Sequence, residues 1–215
     1  YETNVAAGLP FIDTLQSLIR SGDVLRTFEG ILSGSLSMIF GLLEDGTTLS
    51  QAVARAMELG YTEPDPRDDL SGMDVARKLL IIAREVGLRL ELDDIRVEPV
   101  VAVDALAQVE HEHLIDALQA HDSAFGQRVA LAAEQDKVLR YVARLEDGAC
   151  RVSIEAVDRS GPLGAIRDGE NALVIHSRYD QPLPMVLRGY GAGAAVTAAG
   201  VFGDLLKTVW RPLDN

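Results

Sequence analysis

The chain has 215 residues, 47% of them hydrophobic and 25% charged, which suits a globular protein burying one sizeable core or one core and a fragment of another. Its 33 acidic against 20 basic residues leave a formal charge of -13 with no cluster of Lys or Arg, which argues against nucleic-acid binding. No apolar run approaches the roughly 20 residues that a bilayer requires, and the lone Cys150 has neither a disulfide partner nor metal-ligand spacing, as in a reducing cytosol. The expected location is therefore cytoplasmic. The abrupt start at Tyr1-Glu2-Thr3-Asn4, without an initiator Met or a signal peptide, reads as a cut made in a larger protein.

In chain order, Phe11, Ile12, Leu15, Leu18 and Ile19 form one helical stripe, opened by Pro10 and closed by Gly22. Val24 to Leu32 is a short apolar segment compatible with a strand. Leu36, Ile39, Phe40 and Leu43 repeat at helical spacing and stop at Gly46. Thr48 and Gln51 have capping-box spacing ahead of Leu49, Val53, Ala56 and Met57. A fourth helix is predicted from Gly72 to Val86, and the Ala-rich residues 102 to 135 read as two more. Beyond residue 137 the period shifts toward 2. Val138 to Leu145 and Arg151 to Val157 flank the hairpin signal Asp147-Gly148, and Ala172 to Ser177 and Met185 to Arg188 read as further strands. Ala194 to Trp210 is again helical, with Trp210 as a packing anchor. Helices first and strands later give an α+β fold, a mixed sheet covered by helices.

The most informative stretch runs from Gly60 to Lys78. Two prolines among Glu63, Asp65, Asp68 and Asp69 stiffen a loop that would otherwise be a solvated coil. Asp74 and Lys78 follow at i, i+4, on one face of the predicted helix. Taken as spacing alone, Ser71 and Asp74 also fit a capping box, and Asp74 with Lys78 fits a surface ion pair. An EF-hand counted from Asp65 fails, with Leu70 where Gly is needed and Ala76 where Glu is needed. A structural divalent-metal site in the acidic loop and a non-catalytic amino-acid-binding or dimerisation module are the readings that compete with an enzyme.

Gly-Tyr-Thr-Glu-Pro-Asp-Pro-Arg-Asp-Asp-Leu-Ser-Gly-Met-Asp-Val-Ala-Arg-Lys, residues 60 to 78, resembles the homoserine dehydrogenase signature nearly position for position. Gly30-Ile-Leu-Ser-Gly-Ser35 is similar to that family's Gly-Ile-Leu-Asn-Gly-Thr segment, and residues 188 to 200 resemble its C-terminal Gly-rich segment. Ser33 and Ser35 depart from the commoner Asn and Thr, a variation associated with enzymes fused to aspartokinase. The resemblance covers residues 1 to 210.

It implies an oxidoreductase that reduces aspartate β-semialdehyde to homoserine with NADPH or NADH in threonine and methionine biosynthesis. Glu63 and Asp74 would hold the substrate ammonium, Lys78 would give the proton, and Asp69 would orient it. A monovalent cation such as sodium would be held by the Glu2 carboxylate and the carbonyls of Val5, Ala7 and Leu9. The alternative for that stretch is a turn shaped by Gly8-Leu9-Pro10. Gly193 would touch the nicotinamide. Gly189, Gly191 and Gly193 alone invite a dinucleotide fingerprint, but no βαβ context follows. Residues 1 to 190 would form the substrate-binding and dimerisation domain. Residues 191 to 215 would return to a nucleotide-binding Rossmann domain missing from this piece, leaving the piece inactive. The expected partners are the small-molecule substrate, a second copy paired through the sheet, and an aspartokinase domain in the parent chain. His111 and His113, two apart, would diverge on a helix and make a poor metal pair.

Overall fold

The computed structural model describes residues 1–209, so Trp210 lies outside the described residues. A 3-10 turn, Glu2–Asn4, precedes helix α1 (Phe11–Arg20), which buries Phe11, Ile12 and Leu15. Strand β1 (Leu25–Ile31) leads into α2 (Gly34–Glu44), capped by Ser33, whose hydroxyl accepts from the Leu36 N–H at 3.2 Å. Helix α3 (Leu49–Glu58) is capped by Thr48, which accepts from the Gln51 N–H. The spacing of apolar residues thus places these elements to within a residue or two.

The acidic stretch is more ordered than its sequence implies. Pro66–Leu70 is a single helical turn, α4, with proline at its first position and Asp65 capping the Arg67 N–H. Helix α5 (Met73–Glu85) buries Val75, Ala76, Leu79, Ile82 and Ala83. Its cap is not the Ser71 and Asp74 box. Gly72 occupies the cap at φ +73°, Ser71 accepts from the Met73 N–H, and the Asp74 carboxylate turns to Lys78. A Cβ on Gly72 would stand 1.8 Å from the Tyr141 hydroxyl, so glycine is needed there for its backbone and for its missing side chain.

After the two-residue strand β2 (Arg96–Val97) come α6 (Val103–Leu106) and the long α7 (Leu114–Ala133). Strands β3 (Lys137–Glu146) and β4 (Ala149–Asp158) form the hairpin turned by Asp147-Gly148, both at positive φ. Strands β5 (Glu170–Ser177) and β6 (Met185–Tyr190) complete a six-stranded mixed sheet of order β2-β4-β3-β1-β5-β6. β2 and β4 are parallel, and the other pairs are antiparallel. One sheet face packs under the helices around Phe28, Tyr141, Val152 and Leu173. On the other, Leu163 and Ile166 of the connection after β4 cover Ile31, Val142, Ala172 and Val174.

Helix α8 (Ala194–Val209) is set apart. It buries no residue, and Phe202, Leu205 and Leu206 are exposed. It rests on the start of the chain, where Lys207 pairs with Asp13 and the Glu2 N–H donates to Asp204. No helix is long and apolar enough to cross a membrane among the described residues.

Candidate active site

Three contacts pin the acidic loop. The Tyr61 ring lies over Gly169, where a Cβ would come within 2.3 Å of it. Arg67 grips the Asp65 carboxylate and also donates to the Val109 carbonyl at 2.8 Å. A His111 ring nitrogen sits 3.0 Å from the Pro64 carbonyl. The Arg67 hydrogen bond holds the Asp65 carboxyl below the usual carboxylate range.

So fixed, the loop faces the first turn of α5 across a cleft of about 430 Å³ lined by Glu63, Asp68, Asp69, Ser71, Met73, Asp74 and Arg77. Asp69 accepts from the Ser35 hydroxyl through one oxygen and from the Glu63 N–H, at 2.9 Å, through the other. Burial pushes its pKa up, the two hydrogen bonds oppose this, and the Glu63 and Asp74 charges add to the rise. Both carboxylates therefore lie within Coulombic reach of Asp69.

Lys78 enters through Asp74, its ammonium 2.7 Å from that carboxylate and donating to the Leu32 carbonyl at 2.9 Å. Sequence reasoning put Asp74 and Lys78 on one helix face and, from the resemblance, set Asp69 to orient Lys78 and Asp74 at the substrate ammonium. In the structure it is Asp74 that touches Lys78, while Asp69 is bound to Ser35 and the Glu63 backbone. A larger groove of about 590 Å³, past Ile19, Val24, Val86 and the β3–β4 turn, contains none of these groups.

At the start of the chain, the two oxygens of the buried Glu2 carboxylate accept from the Ile12 and Asp13 N–H groups at 2.7 and 2.8 Å, crowning α1. Burial pushes the Glu2 pKa up. Leu9 O accepts from the Phe11 N–H, whereas no donor among the described residues reaches the carbonyls of Val5 or Ala7. A buried carboxylate with spare lone pairs and two free carbonyls suits a small monovalent cation.

Gly193 precedes α8 at φ +141° with its backbone exposed. The turn from Gly191 to Gly193 does join a strand to a helix, but β6 pairs antiparallel with β5, so no dinucleotide fold surrounds it. At Gly191 the glycine makes room for the Asn171 side chain. The residues present thus leave a backbone open to a flat ring, while the described residues include no cradle for a pyrophosphate. His111 and His113 share no ligand cluster; Glu110, Glu112 and His113 do approach one another, all exposed.

The homoserine dehydrogenase family model matches residues 10–206. This chain belongs to the homoserine dehydrogenase family. It is 57% identical over 209 residues to a bifunctional aspartokinase/homoserine dehydrogenase of Haemophilus influenzae, covering 97% of the chain and 26% of that protein. The chain therefore spans about a quarter of the length of such curated relatives. A Candida auris protein of unknown function shares the fold with TM-score 0.91 at 37% identity, over 96% of this chain and 60% of its own. A hyperthermophilic archaeal homoserine dehydrogenase solved with NADPH superposes with TM-score 0.71 at 26% identity, over 99% of this chain and 56% of its own.

Within this homoserine dehydrogenase cleft, sequence reasoning missed Ser35 as the partner of Asp69, Leu32 as the acceptor for Lys78, and Arg77 on the wall. Ser35 stood in the quoted Gly30 to Ser35 segment without a role, and Arg77 stood one residue before Lys78.

Proposed function

We propose that the chain forms the substrate half of an oxidoreductase that reduces aspartate β-semialdehyde to homoserine with a reduced nicotinamide cofactor. The observation that carries this reading is the convergence of a pinned set of carboxylates with an ammonium held at 2.7 Å from Asp74. Glu63 and Asp74 take the substrate ammonium, a role for which the negative field they share with Asp69 suits them. Lys78, held in position by its contact with Asp74, gives a proton to the aldehyde oxygen as that carbon becomes an alcohol, and then regains one from solvent. The nicotinamide supplies the hydride. Gly193 leaves its backbone open for that ring, and the exposed apolar side of α8 is the surface on which a nucleotide-binding domain packs.

Residues 1 to 190 then make up the substrate-binding and dimerisation unit and 191 to 215 the return to the cofactor domain. The parent chain carries an aspartokinase domain and works as a dimer in the cytoplasm. Glu2, Val5, Ala7 and Leu9 hold a sodium-like ion that ties the first turn to α1. Its check is thermal: sodium chloride raises the melting temperature relative to tetramethylammonium chloride, and equal melting in both salts removes the ion site.

The test of the activity is the change in absorbance at constant homoserine and NADP. The longer protein with its cofactor domain turns over and the 215-residue chain alone does not. No turnover by the longer protein rejects the assignment, and turnover by the isolated chain overturns only its expected inactivity.

A further inference from the structure

We propose that Arg77 recognises the α-carboxylate of the amino-acid substrate and so makes the cleft selective for a zwitterion over a plain amino alcohol. This rests on the function proposed above and extends it to specificity. Arg77 lines the cleft beside Glu63, Asp69 and Asp74. It is exposed, and among the described residues it makes no ion pair or hydrogen bond. Lys78, the next residue, is already committed to Asp74 and the Leu32 carbonyl.

The chemistry of the cleft demands such a group. Its wall carries Glu63, Asp68, Asp69 and Asp74, a field that draws in an ammonium and repels a carboxylate. An α-amino acid bears both charges on one carbon, so a wall of acids alone would favour the decarboxylated molecule. Arg77 follows Asp74 by three residues on α5, so the two side chains rise from one helix face about a turn apart. That spacing offers an acid and a guanidinium to adjacent ends of the same zwitterion. A guanidinium presents two parallel N–H donors to a carboxylate, where a lysine presents a point charge. Being unpaired among the described residues, Arg77 has no protein partner there to give up on binding.

The experiment uses the longer protein with its cofactor domain, comparing wild type with Arg77→Gln and Arg77→Lys. L-Homoserine is the substrate. 3-Aminopropan-1-ol, which keeps the amine and alcohol but lacks the carboxylate, is the competitive inhibitor. In Arg77→Gln the homoserine KM rises about 10- to 100-fold with kcat changed by less than about threefold, because the lost contact is made equally in ground and transition states. The inhibition constant of the amino alcohol stays within about twofold of wild type, and Arg77→Lys recovers part of the KM. Since Arg77 is exposed and unpaired, the melting temperature of each variant stays that of wild type.

A homoserine KM unchanged in Arg77→Gln, or a loss shared equally by homoserine and the amino alcohol, overturns the inference. Where the amino alcohol does not bind even to wild type, the split between KM and kcat together with the lysine rescue decides. Absence of homoserine turnover by wild type instead rejects the proposed activity itself, and the inference falls with it. Normal wild-type turnover with an unselective variant rejects only the role of Arg77.

Discussion

Two groups of charged side chains lie on opposite faces of the central sheet, and they are assembled on different rules. On the outer face, Arg144 pairs with Glu29 and Glu155, and Arg151 reaches Glu155 at 3.2 Å, so two acids meet two bases. Arg144, Glu29 and Glu155 are only 16 to 21% exposed, so each half-buried charge there has an opposite partner. In the cleft beside α5, four carboxylates, of which Asp74 also meets Lys78, face one guanidinium unpaired among the described residues, and burial raises the Asp69 pKa with the Glu63 and Asp74 charges adding to the rise. Balanced charge on a half-buried surface is structure completed within the chain; unbalanced charge in a pinned cleft is left for a ligand.

The sharpest way to break this contrast is Lys78→Met in the longer protein. Turnover falls about 10²- to 10⁴-fold, the range for loss of a positioned proton donor, with little change in melting temperature. Activity within tenfold of wild type would falsify the role given to Lys78. Next comes Gly72→Ala, which must both strain a residue at φ +73° and displace the Tyr141 hydroxyl. A loss of about 2–4 kcal/mol is expected by urea unfolding of the 215-residue chain, and a loss below 1 kcal/mol means that Tyr141 moves aside freely.

Arg144→Met tests the balanced side. It leaves Glu29 without its partner and Glu155 with Arg151 alone and costs about 1–3 kcal/mol, while the homoserine KM of the longer protein stays put. A changed KM with unchanged stability reverses the contrast between the two faces.

The smallest effect belongs to Asp69→Asn. The folded pKa of Asp69 is raised, so its charged form disfavours folding, and stability is lost as pH rises from the unfolded value through the folded one. The variant removes that loss, making the chain slightly more stable at neutral pH and flattening its pH dependence on the acid side. A variant less stable at pH 7, at parity below pH 4, shows instead that the Ser35 and Glu63 hydrogen bonds to the carboxylate outweigh its burial.

Much of this was legible because local periodicity carries it. The helices α1, α2, α3, α5 and α8 and the strands β1, β3, β4, β5 and β6 follow apolar spacing and turn residues. β2 was not legible, since its two residues become a strand only by pairing with Arg151 and Val152 far along the chain. α4 hid among prolines and acids that also fit a loop, and the cap of α5 hid because a positive-φ glycine displaced a plausible Ser and Asp pair. In the site, Asp74 with Lys78 could be read from i, i+4 spacing. The holds of Ser35 on Asp69 and of Leu32 on Lys78 span 34 and 46 residues, beyond any local signal.

The Tyr141 phenol beneath Gly72 joins sheet and helix into one mechanical linkage. Its strand, β3, carries Val142 and Arg144 on the far side, so the ring that seats the turn before Asp74 and Lys78 belongs to the strand that also holds the outer charge cluster. The aromatic resonances of Tyr141 therefore offer one probe that adjoins both faces of the sheet.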